Sequence, residues 1–167
     1  ATSIPILDIH ELGAGKLSAL ISRGKAREIY DCSQLFMLQS VDHHKLRLGF
    51  VVYGAMNRKD WRTVDLENIG FDPDDINSQL IPTLGTAIAE EIGTPREYGD
   101  SLVEDCKRGI RYLLPFTENE QESLDLILDQ GEIDGSVLTS DPILQERIAS
   151  HPSLKWKALN VKRYKGL

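Results

Sequence analysis

The sequence predicts a mainly α-helical fold, a helical bundle with one short N-terminal strand. Apolar residues recur at helical spacing along most of the chain. Residue pairs typical of helix starts precede most of these stretches. The one strand-like run is IPILDI at residues 4–9, and its Pro5 is typical of an edge strand or an entry segment. We therefore expect helices to form nearly all of the structure.

Three helices are predicted in the first third of the chain. The first ends at Gly24, because glycine readily adopts the left-handed conformation that closes a helix. The same apolar stripe returns over residues 26–37 and again over residues 46–55. The connection over residues 57–71 has no period, and we expect it to pack through its own Trp61.

Capping residues and prolines predict the starts of the later helices. The predicted starts are Asp72 with Pro73, Thr94 with Pro95, Thr117 with Glu120, Asp141 with Pro142, and His151 with Pro152. A boundary near Pro115 divides the chain into a helical domain over residues 1–115 and a C-terminal helical subdomain over residues 116–167. The short loops of this subdomain predict helices that are neighbours in space.

The composition, 41% hydrophobic and 27% charged, is that of a globular protein. The net charge of −7 argues against a protein that coats nucleic acid without specificity. Residues 155–167 are the exception, with five basic residues and no acid, whereas residues 60–134 are strongly acidic. The five basic residues are Lys155, Lys157, Lys162, Arg163 and Lys165. They can contact RNA phosphates, dock on the acidic body or remain solvated, and the last two states are the commoner ones.

No apolar stretch approaches the roughly 20 residues that cross a bilayer. The N-terminus has none of the regions of a signal peptide. Cys32 and Cys106 stand far apart without a CxxC partner, which indicates neither a disulfide framework nor a zinc site. We expect a cytoplasmic protein that makes no contact with a membrane.

The main candidate site is residues 11–31, ELGAGKLSALISRGKAREIYD. Lys16 and Arg23 lie two turns apart on one helix face, and Arg27 and Asp31 form an i,i+4 pair on the next helix. A hairpin closed at Gly24 would bring Lys16, Arg27 and Asp31 together. Lysine and arginine neutralise phosphates, and a carboxylate binds a metal or orients its neighbours. The alternative is an ordinary salt-bridged helix pair, which is commoner on physical grounds.

Other chemically active residue types receive structural interpretations. His43 and His44 are adjacent on a helix and point apart, and no third ligand is evident, so a metal role is not favoured. We expect Trp61 and Trp156 to be packing anchors rather than platforms for stacked bases.

Residues 11–31, with their ordered E-L, K-L, A-L, R-E and Y-D pairs, resemble a hallmark of the AbiEii/AbiGii family of nucleotidyltransferase toxins. Further segments in the same order extend the resemblance over nearly the whole chain. They are residues 80–84, 114–118, 131–134, 138–142, 144–148 and 151–157.

The resemblance implies that this chain is similar to the C-terminal half of a polymerase-β-like nucleotidyltransferase. Such proteins use an NTP and Mg²⁺ to transfer a nucleotide to an acceptor such as tRNA. Many are toxins of a toxin–antitoxin or phage-defence pair, so an antitoxin and an RNA acceptor are implied partners. The resemblance implies catalytic roles for Lys16 and Asp31. It also implies nucleotide binding by Lys16, Arg23 and Arg27.

Two departures from the family pattern limit these expectations. No Gly-Ser pair followed by Asp-x-Asp is present in the sequence, and the Asp72-Pro73-Asp74 run stands at a predicted helix cap. Glu28 replaces the aspartate of the usual Arg-Asp pair. We therefore expect no metal site in this chain, which would be a fragment or degenerate member with its metal-binding carboxylates in a missing N-terminal domain.

A second hypothesis comes from a different class. The chain can be a non-catalytic helical interaction module. It would then bind a partner protein through its basic C-terminal residues and the face that carries Phe36 and Met37.

Overall fold

The structure is a computed structural model that describes residues 8–167, and over these residues it is mainly helical and has no strand. The mainly α prediction is confirmed. The α-helices are α1 (Ile9–Arg23), α2 (Ala26–Met37), α3 (His43–Ala55), α4 (Pro73–Asp75), α5 (Thr86–Glu91), α6 (Pro95–Ile110), α7 (Glu118–Asp125), α8 (Pro142–Ser150) and α9 (Pro152–Lys165). π-Helical segments over Ile76–Leu80 and Leu126–Gln130 extend α4 and α7, respectively.

The predicted N-terminal strand is not supported. Residues 4–7 of that segment lie outside the described residues, and Asp8 and Ile9 belong to the start of α1 instead. The Asp8 carboxylate accepts a hydrogen bond of 2.9 Å from the backbone N–H of His10. A side-chain cap of this kind satisfies a donor that the helix itself leaves free, so it favours helix over strand at these two positions.

α1 and α2 form the predicted hairpin. Gly24 has a φ of 59°, and its N–H donates to the Leu20 carbonyl at 2.8 Å. The start of α2 is held from a distant part of the chain, because the Ala26 N–H donates to Asp75 Oδ2 at 2.9 Å. The hairpin therefore has a fixed turn and a fixed second helix.

The core lies between the hairpin, α3 and α6, where Leu17, Ile29, Phe50 and Ile110 are fully buried. Trp61 in the connection after α3 is also fully buried, with its ring centroid 5.0 Å from that of Phe50. The prediction that this connection packs through Trp61 is confirmed.

The predicted starts of the later helices are confirmed. Asp72, Thr94, Thr117 and Asp141 each accept a hydrogen bond from a backbone N–H in the first turn. α9 begins at Pro152 without a side-chain cap. These starts could be predicted because the capping side chain and the amide it serves lie within three residues of each other.

The division near Pro115 stays a prediction. Side chains from beyond it, including Leu124, Ile127 and Leu154, are buried in the same apolar cluster as those of the first three helices. Residues 116–167 therefore contribute directly to the core that supports the α1–α2 hairpin.

Gly131 sits where α9 crosses the turn after α7, and Gly131→Ala is expected to destabilise the protein by about 2–4 kcal/mol. Gly131 has a φ of 65°, and a Cβ there would lie 2.5 Å from the Ala158 carbonyl oxygen. Both the left-handed backbone and the contact oppose a side chain. Urea unfolding followed by circular dichroism measures the loss.

Gly166→Ala is the control for the backbone contribution. Gly166 has a φ of 71°, yet a Cβ there would meet nothing within 4 Å. We expect this variant to lose about 1–2 kcal/mol, since only the left-handed conformation opposes it. Equal losses in the two variants would show that the α9 contact at Gly131 contributes nothing.

Candidate functional site

Lys16 of α1 and Asp31 of α2 form an ion pair across the hairpin. Lys16 Nζ donates to Asp31 Oδ2 at 2.6 Å. The Lys16 side chain is 37% exposed and that of Asp31 is 43% exposed, so both remain accessible to a solute. The predicted meeting of these two residues is confirmed, whereas their chemical roles stay predictions.

The two arginines of the predicted site have other partners. Arg23 pairs with Glu28 Oε1, and Glu28 Oε2 also accepts a hydrogen bond of 3.2 Å from the Lys25 N–H. Arg27 Nε donates to the Gln79 carbonyl oxygen at 3.3 Å. Within the described residues no hydrogen bond or ion pair joins Arg27 to Lys16 or Asp31. The expected convergence of Arg27 with that pair is therefore not observed, because the segment after α4 binds its guanidinium.

Lys16 and Arg23 remain the two cations along one edge of α1. Seven residues of helix separate them by roughly 10 Å along the axis. Each already faces a carboxylate, and the Arg23 side chain is 65% exposed. An incoming polyanion such as a triphosphate can replace these carboxylates as the partner of both cations. The arrangement therefore suits phosphate binding.

The same residues do not fit a magnesium ion. Among residues 8–167 no group of three His, Cys, Asp or Glu side chains lies close enough together to hold a metal. Asp72, in the one Asp-x-Asp run, accepts from the Asp74 N–H at 2.9 Å and caps α4. Asp31 is a single carboxylate that already accepts from the Lys16 ammonium, and the positive charge of that ammonium opposes a cation at the same oxygen.

A buried ion pair that the sequence did not reveal joins α3 to the start of α7. Arg47 Nε donates to Glu120 Oε1 and Arg47 Nη2 to Glu120 Oε2, both at 2.6 Å. The guanidinium also donates to the carbonyl oxygens of Tyr112 at 3.1 Å and Pro115 at 2.6 Å. The sequence indicated only that Glu120 belongs to a capping box. It did not indicate Arg47 as the partner of Glu120, because the two residues are 73 positions apart.

Two of the five basic C-terminal residues dock on the body of the protein. Lys165 Nζ lies 2.8 Å from Asp129 Oδ1, and Arg62 Nη1 lies 2.5 Å from Asp129 Oδ2. Hydrogen bonds from Arg62 and then Lys165 lower the pKa of Asp129 to about 2. Lys157 Nζ donates to the Asn57 carbonyl oxygen at 2.6 Å, and burial lowers the pKa of Lys157. The electrostatic dock is thus confirmed for Lys165.

The two tryptophans have different environments, and His43 lies against an aromatic ring. Trp61 is a packing anchor as predicted, but Trp156 is 68% exposed, and the prediction that it packs is wrong. α9 turns Leu154 and Ala158 toward the core, which places the intervening Trp156 on the outer side. The His43 ring stacks on Tyr112, with centroids 4.7 Å apart.

Two cavities lie away from the Lys16–Asp31 pair. One of about 420 Å³ lies between α3 and the start of α7, with Lys45, Arg47 and Glu120 in its lining. A second, of about 240 Å³, is lined by Met37, Tyr112 and their neighbours. Neither cavity has Lys16 or Asp31 in its lining. None of the described helices has the length and apolar character needed to cross a membrane.

A sequence comparison supplies the family. The family described as "Nucleotidyl transferase AbiEii toxin, Type IV TA system" matches residues 1–130, which include the whole α1–α2 hairpin. Comparisons with curated proteins and with solved structures give no match. A type IV toxin–antitoxin family implies an antitoxin as partner. Because the matched residues make up most of its length, the chain belongs to the AbiEii nucleotidyl transferase toxin family.

Proposed function

We propose that this chain is the phosphate-binding helical part of a toxin that transfers a nucleotide from an NTP to an RNA acceptor such as tRNA in the cytoplasm. The observation that supports this is the half-exposed Lys16–Asp31 pair inside the family-matched segment. A correspondence to the C-terminal half of a polymerase-β-like fold is part of this proposal.

Lys16 is proposed to bind an NTP phosphate, and Arg23 to bind a second phosphate along the same edge. Asp31 is proposed to position the Lys16 ammonium before the NTP binds, through the contact at 2.6 Å, and to be free for a role in transfer once a phosphate takes its place. Arg27, tied to the Gln79 carbonyl, is proposed to complete the phosphate site by turning from that acceptor. Magnesium, when bound, supplies charge neutralisation to the triphosphate. Its carboxylate ligands are proposed to come from a separate domain, since the donors described here do not fit it.

Replacing Lys16 with alanine is expected to weaken NTP binding by tenfold or more, because the ammonium is the least exposed cation of the proposed phosphate site. Asp31→Asn is expected to bind the NTP at least as tightly as the unaltered chain, because it removes the anion that competes for Lys16. Isothermal titration with each NTP, with and without Mg²⁺, measures both.

Lys25→Ala is the matched control, since Lys25 is an exposed lysine in the turn between the same two helices. We expect its NTP affinity to stay within about twofold of the unaltered chain. The proposal fails if the unaltered chain binds no NTP, or if Lys16→Ala and Lys25→Ala bind equally.

Transfer itself is measured with the full-length protein, labelled NTPs and total tRNA. Label should pass to the RNA, and both Lys16→Ala and Asp31→Asn should abolish its transfer. If Asp31→Asn still binds the NTP but no longer supports transfer, Asp31 has a positioning role rather than a role in binding. Absence of transfer with every NTP would refute the enzymatic proposal.

The second candidate function is a scaffold for a partner protein. Met37 is 61% exposed and Tyr112 is 62% exposed, and both line the cavity of about 240 Å³. An apolar side chain of an antitoxin would fill that cavity. A chain that binds its antitoxin but no NTP would favour the scaffold, and the titration above distinguishes the two functions.

A further inference from the structure

The outer face of α9 combines aromatic, apolar and basic side chains that the rest of the protein leaves uncovered. Trp156 is 68% exposed and Leu159 is 49% exposed, and Lys155 and Arg163 are also exposed. Positions 155, 156, 159 and 163 follow each other at helical spacing, so they share one side of the helix. This side is α9's solvent face.

The opposite side of α9 is fixed to the protein. Leu154 is fully buried and Ala158 is 5% exposed, and Lys157 donates to the Asn57 carbonyl oxygen at 2.6 Å. Lys165 binds Asp129 at 2.8 Å. These contacts hold the backbone and orient the outer side chains without covering them. Trp156 is therefore presented on a rigid element rather than on a loose end.

The charge of this face is opposite to that of the molecule. Residues 152–167 contain five basic residues and no acid, although the whole chain has a net charge of −7. Among residues 8–167, no carboxylate lies within ion-pair distance of Lys155, Lys162 or Arg163. A polyanion would be attracted to this face and repelled by much of the remaining surface.

We propose that Lys155, Trp156 and Arg163 form a binding face for a single-stranded polynucleotide. One base stacks on the Trp156 indole, and Lys155 and Arg163 bind phosphates on either side of it. Seven residues of helix place Arg163 roughly 10 Å from Trp156 along the axis, which leaves room for a phosphate of the same strand beyond a base stacked on the indole. RNA and DNA share the phosphates and stackable bases that this face would recognise.

The composition of the face favours this ligand over a lipid surface. A helix that lies on a membrane needs a continuous apolar side, and the apolar side of α9 packs into the core through Leu154 and Ala158. The outer side has an indole between cations, which is the arrangement of stacking sites for single strands. α9 also lies beyond residues 1–130, so the family match does not assign this face.

The test measures binding of fluorescent RNA and DNA oligonucleotides of about 12 nucleotides to the full chain by anisotropy. No NTP is present, so the result is independent of the proposed transfer activity. Trp156→Ala is expected to weaken binding by about tenfold, the loss of one stacked base. Replacing both Lys155 and Arg163 with glutamine should make the slope of log affinity against log salt shallower by about 1.4, since each single-strand phosphate contact contributes about 0.7.

Two control variants remove an exposed apolar side chain or an exposed cation at positions outside α9. Ile143→Ala removes an apolar side chain that is 71% exposed on α8, and Arg96→Gln removes an exposed cation at the start of α6. Both should bind the oligonucleotides as the unaltered chain does, and circular dichroism should show every variant folded. Two results would overturn the proposal: no oligonucleotide binding by the unaltered chain, or unchanged binding by Trp156→Ala. Tighter binding of the RNA oligonucleotide than of the DNA oligonucleotide would identify RNA as the ligand.

Discussion

Replacing Arg47 with methionine is expected to lower the free energy of unfolding by about 3–5 kcal/mol. The Arg47 side chain is 20% exposed and that of Glu120 is 11% exposed, so the substitution leaves a largely buried carboxylate without its counter-charge and with only the Thr117 N–H as a donor. The carbonyl oxygens of Tyr112 and Pro115 also lose their donor. Urea unfolding followed by circular dichroism measures the loss, and a fall in Tm of at least about 6 °C should accompany it.

Arg111→Met is the control for this substitution. Arg111 is exposed, and its side chain forms no hydrogen bond or ion pair with the other described residues, so its loss should change stability by less than about 0.5 kcal/mol. Combining Arg47→Met with Glu120→Leu should recover part of the lost stability, because the double variant leaves no charge buried. Equal free energies of unfolding for Arg47→Met and Arg111→Met would show that the Arg47–Glu120 ion pair does not stabilise the fold.

Gly54→Ala is expected to destabilise the protein by about 3 kcal/mol, at the upper end of overpacking effects. Three indole atoms of Trp61 lie less than 3.0 Å from where a Cβ on Gly54 would be, and the ring is fully buried. Trp61 cannot move aside without disturbing Phe50, whose ring lies 5.0 Å away. Denaturant unfolding of the purified variant measures the effect.

Gly15→Ala is expected to have the opposite effect on stability. Gly15 is also inside a helix, and a Cβ there would meet only Tyr53, at an ordinary 3.6 Å. This variant should gain about 0.5–1 kcal/mol from helix propensity. The loss in Gly54→Ala should shrink when Trp61 is changed to phenylalanine; purely additive losses would contradict a contact between positions 54 and 61.

Local signals in the sequence predicted most of the helix boundaries. Asp72 and Thr117 each serve an amide within three residues, so the sequence contains both partners of the cap. The Lys16–Asp31 pair was also predictable, because the turn at Gly24 leaves the two helices of a hairpin little choice of partner.

Long-range partners were not predictable. The Gln79 carbonyl that binds Arg27 lies 52 residues away, and the position of a backbone oxygen has no sequence signature. Glu120 binds Arg47 across 73 residues for the same reason. Trp156 is exposed although a tryptophan is usually buried, because Leu154 and Ala158 set the orientation of α9.

The half-exposed ion pair at the hairpin makes anion binding an exchange reaction rather than a simple addition. A phosphate that reaches Lys16 must displace Asp31, and solvent then takes over the freed carboxylate. Because both side chains are more than a third exposed, the cost of separating them is small, about 0–1 kcal/mol. Anion binding at Lys16 and release of a carboxylate would thus be one coupled equilibrium, in which a phosphate on Lys16 raises the fraction of Asp31 that is free for a new partner.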